Sequence, residues 1–200
     1  MNTSTNDRMV WMVLATIAAV GFAIWAIKRD NGDGDLIDEL GDALNMLTTS
    51  EQTRLNNLEP ETRGKVSDLI TSLQGDGLTV YVGQTLRTPA QEKAAIDSGH
   101  SAVKTHSWHE LGRAADLYPV NPDTGKADLN GTRLDLFWQM QQRAMELGFR
   151  QIAFNDDGSK RYITNSAGKK IWDGGHVEYR GPYATIAEAV AAEGEAYGIA

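Results

Sequence analysis

Cysteine is absent from this 200-residue chain. The protein therefore has no disulfide bonds, no thiolate nucleophile and none of the zinc or iron–sulfur sites that depend on cysteine ligands. A chain without thiols tolerates either redox state, so the absence does not indicate a compartment.

Basic side chains are outnumbered, with 19 Lys and Arg against 27 Asp and Glu and a net charge of -8. Proteins that bind nucleic acid typically carry a basic patch, so we expect no nucleic-acid partner. Hydrophobic residues make up 41% of the chain and charged residues 23%, which is typical of a globular protein. This balance excludes a largely disordered chain and a polytopic membrane protein, and it leaves the oligomeric state open.

Charge is missing altogether from residues 9–27, MVWMVLATIAAVGFAIWAI. As a helix this run would measure roughly 28 Å, which is about one bilayer core. Trp11 and Trp25 lie near its two ends, where indole rings prefer the membrane interface. A cleaved signal peptide and a buried core helix are the alternatives, but the run is long and ends in two cations instead of a small-residue cleavage site. We predict an uncleaved, single-pass anchor within residues 1–29 that contacts the lipid bilayer.

The segment after the anchor is acidic and rich in glycine at residues 30–35, which predicts a linker. A calcium loop is a weaker interpretation, because its twelfth position would be Gly41 instead of glutamate. Helical spacing from Leu36 onwards adds a short helix, so residues 30–45 are predicted to be a linker and a short helix.

Residues 46–200 are predicted to form one domain in which helices alternate irregularly with short strands. Helices are indicated after Ser50 and at 60–73, 89–95, 132–147 and 185–197, and strands at 78–82, 113–120, 149–154, 161–164 and 176–179. This order predicts an α+β fold in which a small, mostly antiparallel sheet is flanked by helices.

Two segments hold the residues with recognisable chemistry: SWHELGRAAD at 107–116 and WDGGHVEY at 172–179. A catalytic zinc needs three protein ligands and one open position, and His109, Asp116 and His176 can supply the three ligands. Asp173 precedes His176 by a Gly-Gly turn that can bring its carboxylate towards the metal. The HExxH zinc helix is not present, because the fifth residue counted from His109 is Arg113.

These segments resemble a family of zinc peptidases that cut bacterial cell-wall peptides, namely D-alanyl-D-alanine carboxypeptidases and phage L-alanyl-D-glutamate endopeptidases. The matching motifs are S-x-H-x-x-G-x-A-x-D at 107–116 and D-x-x-H at 173–176. QTLRTPAQ at 84–91 and LEPETRGKVSDLI at 58–70 also resemble segments of this family. The resemblance covers roughly residues 46–180 and implies the hedgehog-type peptidase fold.

The resemblance implies that His109, Asp116 and His176 bind Zn²⁺, that Asp173 is the general base and that Arg87 stabilises the oxyanion. Aspartate at the base position is more typical of the endopeptidases, so cleavage between L-alanine and D-glutamate of the peptidoglycan stem peptide is expected. D-alanyl-D-alanine carboxypeptidase activity is the alternative. A non-catalytic envelope or virion protein that binds cell wall is the alternative from another class.

Five further residues are candidates for supporting or substrate-binding roles: Ser107, Glu178, Gln84, Trp108 and Trp172. Glu178 lies two residues after His176, so on a strand it would point to the same face and could orient that ligand. The two tryptophans flank the ligand segments, but tryptophans in such positions are more often packing residues. Ser107 is expected to be a loop hydrogen bonder, and Arg87 could instead be a surface cation in an ion pair.

The two remaining histidines, His100 and His106, are expected to have no catalytic role. His106 lies three residues before His109 and is the one residue that could close a structural zinc site as a fourth ligand. If the anchor interpretation is right, the protein is a single-pass membrane protein whose domain acts on the cell-wall side of a bacterial envelope, or belongs to a phage virion or lysis system.

The anchor hypothesis predicts that residues 35–200 alone are soluble and keep the activity of the full chain, since the apolar run is separated from the domain by a linker. The full chain should sediment with membranes, and the fragment should stay in the supernatant after ultracentrifugation. An insoluble fragment from a full chain that dissolves without detergent would instead make residues 9–27 part of the core.

Overall fold

The computed structural model describes residues 47–101, 103 and 105–199. In these residues the α-helices are α1 Thr49–Asn56, α2 Pro60–Gly75, α3 Pro89–Asp97, α4 Leu134–Glu146 and α5 Ile186–Glu193, and a 3₁₀ turn follows at Gly194–Tyr197. The strands are β1 Val80–Val82, β2 Ala114–Asn121, β3 Lys126–Ala127, β4 Arg150–Gln151, β5 Ile163–Thr164, β6 Lys170–Ile171 and β7 His176–Glu178.

Capping boxes begin three of these helices. In each box a threonine side chain accepts a hydrogen bond from the backbone N–H three residues on, and the Glu or Gln at that position bonds back to the threonine N–H. The threonines are Thr48 before α1, Thr88 before α3 and Thr185 before α5. The N-cap of α1, predicted at Ser50, is therefore Thr48.

The main sheet is antiparallel throughout, with strand order β1-β2-β7-β4 and with β3 paired to the distal end of β2. Strand β2 is the longest and lies between β1 and β7. Asp116 of β2 is directly opposite His176 of β7. Strands β5 and β6 form a separate hairpin.

Alternation along the central strands separates a core face from a polar face. Ala115, Leu117 and Val177 are fully buried and belong to the main core. The neighbouring positions Asp116 and His176 point to the opposite face, because successive side chains of a strand alternate. The core face is covered by α2 and α4, whose buried apolar residues are Val66, Leu69, Ile70, Leu73, Phe137, Met140 and Ala144.

A smaller core joins α5 to the segment before β2. It contains Trp108, Leu111, Ala114, Ala189 and Ile199. The buried guanidinium of Arg113 donates two hydrogen bonds to the carboxylate of Glu193, at 3.0 Å and 2.8 Å. The C-terminal helix is thereby tied to the segment that carries His109 and Asp116.

The predicted α+β fold with an antiparallel sheet is confirmed, but several of its elements are shorter than expected, among them the strands predicted at 78–82 and 161–164. The strand expected at 149–154 ends at Gln151, because the Gln151 side chain hydrogen-bonds the backbone N–H and carbonyl of Phe154. The helix expected at 185–197 changes to a 3₁₀ turn at Gly194. Strands β3 and β6, each two residues long, were not expected at all.

The structure does not test the anchor. No helix in the described ranges is long and apolar enough to cross a membrane. The predicted span at 9–27 and the helix predicted from Leu36 lie outside the described residues, so both stay predictions.

Candidate metal centre

His109 lies in a tight loop that leads into β2. Its Nδ1 is 2.6 Å from the carbonyl oxygen of Thr85, so Nδ1 carries the proton and donates it to that oxygen. The ring nitrogen that remains, Nε2, then presents its lone pair to the polar face of the sheet. A backbone carbonyl thus selects the tautomer that can bind a metal.

Gly112 allows this loop to pass close to the start of α2. Its φ is +61°, and a Cβ atom there would lie 2.8 Å from the backbone nitrogen of Glu59. That nitrogen donates a hydrogen bond to the Gly112 carbonyl at 3.0 Å. The glycine of the S-x-H-x-x-G-x-A-x-D motif is therefore required by backbone contact as well as by its conformation.

Three donor atoms converge on one point of the polar face. His109 Nε2 lies 3.2 Å from His176 Nδ1, and Asp116 Oδ1 lies 3.4 Å and 3.5 Å from these two nitrogens. All three side chains are buried. These residues are the group in the described part of the chain whose donor atoms can hold a metal ion together.

The spacing of these atoms fits zinc. Ligand atoms bound tetrahedrally at about 2.0–2.1 Å from Zn²⁺ lie about 3.3–3.4 Å from one another. The observed separations of 3.2, 3.4 and 3.5 Å fall on both sides of this value. Two neutral imidazoles and one carboxylate are also a usual donor set for catalytic zinc, and three protein ligands leave a coordination position open.

Glu178 holds His176 in the tautomer that this site needs. His176 Nε2 lies 3.3 Å from Glu178 Oε2, so the proton on Nε2 points to the carboxylate and Nδ1 is left for the metal. Arg180 donates to the other oxygen of Glu178 from Nε at 2.8 Å and Nη2 at 2.6 Å. The structure thus places Glu178 behind the ligand, as the strand alternation predicts.

The electrostatics of the cluster favour a cation. In the metal-free cluster, burial opposes ionisation of Asp116, but its interactions with His109 and His176 hold the pKa of Asp116 well below its usual range. Burial likewise disfavours a charged His176, yet hydrogen bonds to Asp116 and Glu178 and the charge of Asp173 raise its pKa to about 10, so a metal ion would displace the proton on Nδ1 when it binds. Three carboxylates therefore act on one buried imidazole, and a divalent ion would balance this excess of negative charge.

Asp173 approaches the same cluster through the Gly174-Gly175 turn. A Cβ at Gly174 would overlap the indole of Trp172, and one at Gly175 would lie 2.8 Å from the carbonyl oxygen of Leu117. Burial raises the pKa of Asp173, and the charge of Asp116 adds to this effect while the charge of His176 opposes it. Asp173 is therefore within electrostatic range of Asp116 and His176.

Arg87 lies on the other side of Asp116. Its Nη2 is 3.5 Å from Asp116 Oδ2, and its Nη1 donates to Glu92 Oε2 at 3.1 Å. The Arg87 backbone N–H donates to the carbonyl of His109 at 3.0 Å. The guanidinium is mostly buried in this position, so Arg87 is not a surface cation, but it does form the kind of ion pair that this alternative predicted.

The other candidates are placed away from the three donor atoms. Ser107 donates to Glu92 Oε2 at 2.8 Å, which makes it a loop hydrogen bonder. Trp108 is buried in the smaller core, and the indole N–H of Trp172 donates to the carbonyl of Ala153 at 2.7 Å. Both tryptophans thus pack against the two cores. The Gln84 side chain is exposed, while its backbone carbonyl accepts the N–H of Asp116 at 2.7 Å.

His106 is not brought into the ligand cluster. Its Nδ1 lies 3.4 Å from Glu110 Oε2, and the donor atoms that converge in the described residues are only those of His109, Asp116 and His176. Nothing in this part of the chain closes the site with a fourth protein ligand. His100 is exposed and contacts Ser98, as expected of a histidine without a role in the site.

Two supporting residues were not found from the sequence. The amide of Gln141, on α4, donates to the carbonyls of Gly174 and His176 at 2.9 Å and 3.0 Å and so fixes the turn that carries Asp173. Glu92 is a buried carboxylate behind Arg87. Both lie in helices with no motif around them, and the one available signal was the position of Glu92 five residues after Arg87.

Comparison with solved structures gives similar folds at low identity. ChiX, an L-Ala D-Glu endopeptidase of Serratia marcescens, matches with a TM-score of 0.47 and 17% identity over 66% of this chain and 87% of its own. VanY, a D,D-pentapeptidase from a VanB-type vancomycin resistance cassette solved with Zn(II), matches with a TM-score of 0.42 and 16% identity over 70% of this chain and 83% of its own. VanYB in complex with D-alanine-D-alanine gives a TM-score of 0.44 and 15% identity over 70% and 77%.

No protein-family model matches the chain, and no curated protein matches it. At these scores and identities, the likeness to solved structures does not assign an activity to this chain. The case for function therefore has to be made from its own residues.

Replacement of His176 by Ala should abolish tight zinc binding, because two protein ligands rarely hold a catalytic zinc. Elemental analysis after dialysis should find about one equivalent of zinc in the wild type and close to none in the variant. His100→Ala is the matched control and should keep its zinc. A full equivalent of tightly held zinc in His176→Ala would show that the ligand assignment is wrong.

Proposed function

We propose that the chain is a zinc-dependent peptidase that hydrolyses peptide bonds in the stem peptides of peptidoglycan. The observation that carries this proposal is the triangle of His109, Asp116 and His176. The guanidinium of Arg87 contacts Asp116, and the carboxylate of Asp173 interacts electrostatically with the triangle. Three ligands with an open position, a base and an oxyanion partner are the groups that hydrolysis of a peptide bond requires.

Asp173 is the general base in this proposal. Bound zinc would lower the pKa of a coordinated water towards neutrality and polarise the carbonyl of the substrate. Asp173 accepts the proton that the attacking water loses and delivers it to the nitrogen of the leaving amine.

Arg87 stabilises the carbonyl oxygen as negative charge develops on it. A guanidinium keeps its charge at every physiological pH and can donate from Nη2, the nitrogen that faces Asp116. Loss of one preorganised donor to an oxyanion typically costs about 100-fold to 1,000-fold in rate.

The substrate class is proposed from the motifs. S-x-H-x-x-G-x-A-x-D and D-x-x-H resemble those of cell-wall peptidases. In the first motif Ser107 bonds Glu92, Gly112 contacts the backbone before α2, and Ala114 is buried in the smaller core. Aspartate at position 173 favours the bond between L-alanine and D-glutamate over the terminal D-alanyl-D-alanine bond. The proposed location is the cell-wall side of a membrane, where an anchor at 9–27 would hold the domain near this substrate.

The test is digestion of purified peptidoglycan by the zinc-loaded protein, with the new termini identified by mass spectrometry. A new amino terminus on D-glutamate is expected and supports the endopeptidase. Released D-alanine would support the carboxypeptidase instead. Binding to peptidoglycan without any new terminus would contradict the proposal and favour the non-catalytic alternative.

Replacement of Asp173 by Asn should leave zinc bound while turnover falls about 100-fold to 10,000-fold, because the side chain keeps its size but loses its basic oxygen. Zinc content and turnover are measured on the same sample. Asp156→Asn is the control: it removes an exposed carboxylate from the same domain and should change neither zinc content nor turnover.

Glu178→Gln separates the two carboxylates near His176. A residue that orients a ligand should weaken zinc affinity by about 10-fold to 100-fold and leave the rate at saturating zinc less affected. If Asp173→Asn remained active and Glu178→Gln were inactive at saturating zinc, the base would be Glu178.

A further inference from the structure

Glu92 is a buried charge that the proposed reaction does not use. Only 1% of its surface is exposed, although it lies on the first turn of α3. Its Oε1 accepts from Ser101 Oγ at 2.7 Å, and its Oε2 accepts from Ser107 Oγ at 2.8 Å and Arg87 Nη1 at 3.1 Å. A buried carboxylate is costly unless it is paired. Two of the partners of Glu92 lie close to the metal centre, since Arg87 contacts Asp116 and Ser107 lies two residues before His109.

The contact with Glu92 determines the orientation of Arg87. The guanidinium is planar and rigid, so a bond that fixes Nη1 also fixes the direction of Nη2. With Nη1 on Glu92, Nη2 is directed to the Asp116 side, 3.5 Å from Oδ2. The Arg87 backbone is held separately by the carbonyl of His109. The ligand loop thus holds the backbone of Arg87, and Glu92 of α3 holds its side chain.

Asp116 alone is a poor anchor for this cation. Its Oδ1 lies in the donor triangle, so a bound divalent ion would share the carboxylate's negative charge with Arg87. The ion and the guanidinium would also repel each other. Glu92 supplies a second negative charge on the side of Arg87 away from the triangle, and this charge opposes the displacement of Arg87.

The two serines fix the carboxylate itself. Ser107 lies two residues before His109, and Ser101 begins the preceding segment, so Glu92 joins α3 to the loop that carries the ligand. Serine hydroxyls can rotate to donate or accept. A glutamine at position 92 could therefore keep the hydrogen bonds to the two serines, whereas its contact with Arg87 would lose the charge that strengthens it.

We propose that Glu92 is a positioning residue that holds the Arg87 guanidinium where it can meet the carbonyl oxygen of the substrate. This inference rests on the proposed hydrolytic function, in which Arg87 stabilises the oxyanion. Glu92 itself touches neither the substrate nor the metal.

A double-mutant cycle with Arg87→Met tests the proposal. The substrate is the soluble stem peptide that the wild type cleaves fastest. Glu92→Gln should lower kcat about tenfold and change KM by less than about threefold, with zinc content unchanged. In the Arg87→Met background, the same replacement should change kcat by less than about twofold, because its effect passes through Arg87. Asp97→Asn, an exposed change on the same helix, should have no effect in either background.

If Glu92→Gln lowered kcat by the same factor in both backgrounds, Glu92 would support the fold in general, and the proposal would be overturned. An unchanged kcat in Glu92→Gln would overturn it too. If Glu92→Gln does not fold, Ser107→Ala replaces it in the cycle, since it removes one hydrogen bond to the carboxylate. Ser107→Ala should then lower kcat about twofold to fivefold in the wild type and leave kcat unchanged in the Arg87→Met background. A decrease of kcat in both backgrounds contradicts the proposal.

A second measurement does not depend on activity. In ¹⁵N spectra of the guanidinium groups, the two Nη atoms of Arg87 should be distinct in the wild type, because the contact with Glu92 hinders rotation of the group. The signals are assigned by their loss in Arg87→Met and should merge in Glu92→Gln. If the wild type cleaves no stem peptide, the proposed function fails, and these spectra alone decide whether Glu92 holds Arg87.

Discussion

The antiparallel pairing of β2 with β7 is the constraint on which the metal centre depends. It sets Asp116 directly opposite His176, and paired residues on one face of such strands have Cβ atoms about 4.5–5.5 Å apart. A slip of one residue would exchange the two faces of a strand and move its polar side chains into the core. Burial of Ala115, Leu117 and Val177 excludes that slip. The apolar core under α2 and α4 thus specifies the geometry of the donor atoms on the other face.

The polar face is arranged in pairs of opposite charge or of donor and acceptor. Each histidine ligand has its second nitrogen occupied, by a backbone carbonyl at His109 and by a carboxylate at His176. Glu178 is in turn held by Arg180, and Glu92 stands behind Arg87. These partners hold the three donor side chains around one point, which lowers the reorganisation that binding of a cation requires.

The convergence of His109, Asp116 and His176 could be predicted from the sequence because their setting is distinctive: a glycine loop before one strand and a Gly-Gly turn before another. The fold class followed from the alternation of helix and strand signals. The roles of Glu92 and Gln141 could not be predicted, since they come from contacts between distant segments. In a sequence, a glutamate that becomes buried cannot be told from one that stays exposed. The strand expected at 149–154 was overestimated for a similar reason. Its apolar residues are typical of a strand, but the backbone N–H and carbonyl of Phe154 hydrogen-bond the Gln151 side chain instead of a neighbouring strand.

Arg113 has a consequence for the order in which the molecule is completed. It stands between His109 and Asp116, and its buried charge is balanced by Glu193, eighty residues further along the chain. During synthesis from the amino terminus, the loop with the first ligand is made long before the carboxylate that neutralises its neighbour. Until that carboxylate is present, burial of Arg113 would leave a cation without this partner, which is strongly unfavourable. The conformation of the ligand loop is therefore linked to the docking of the last helix through one ion pair.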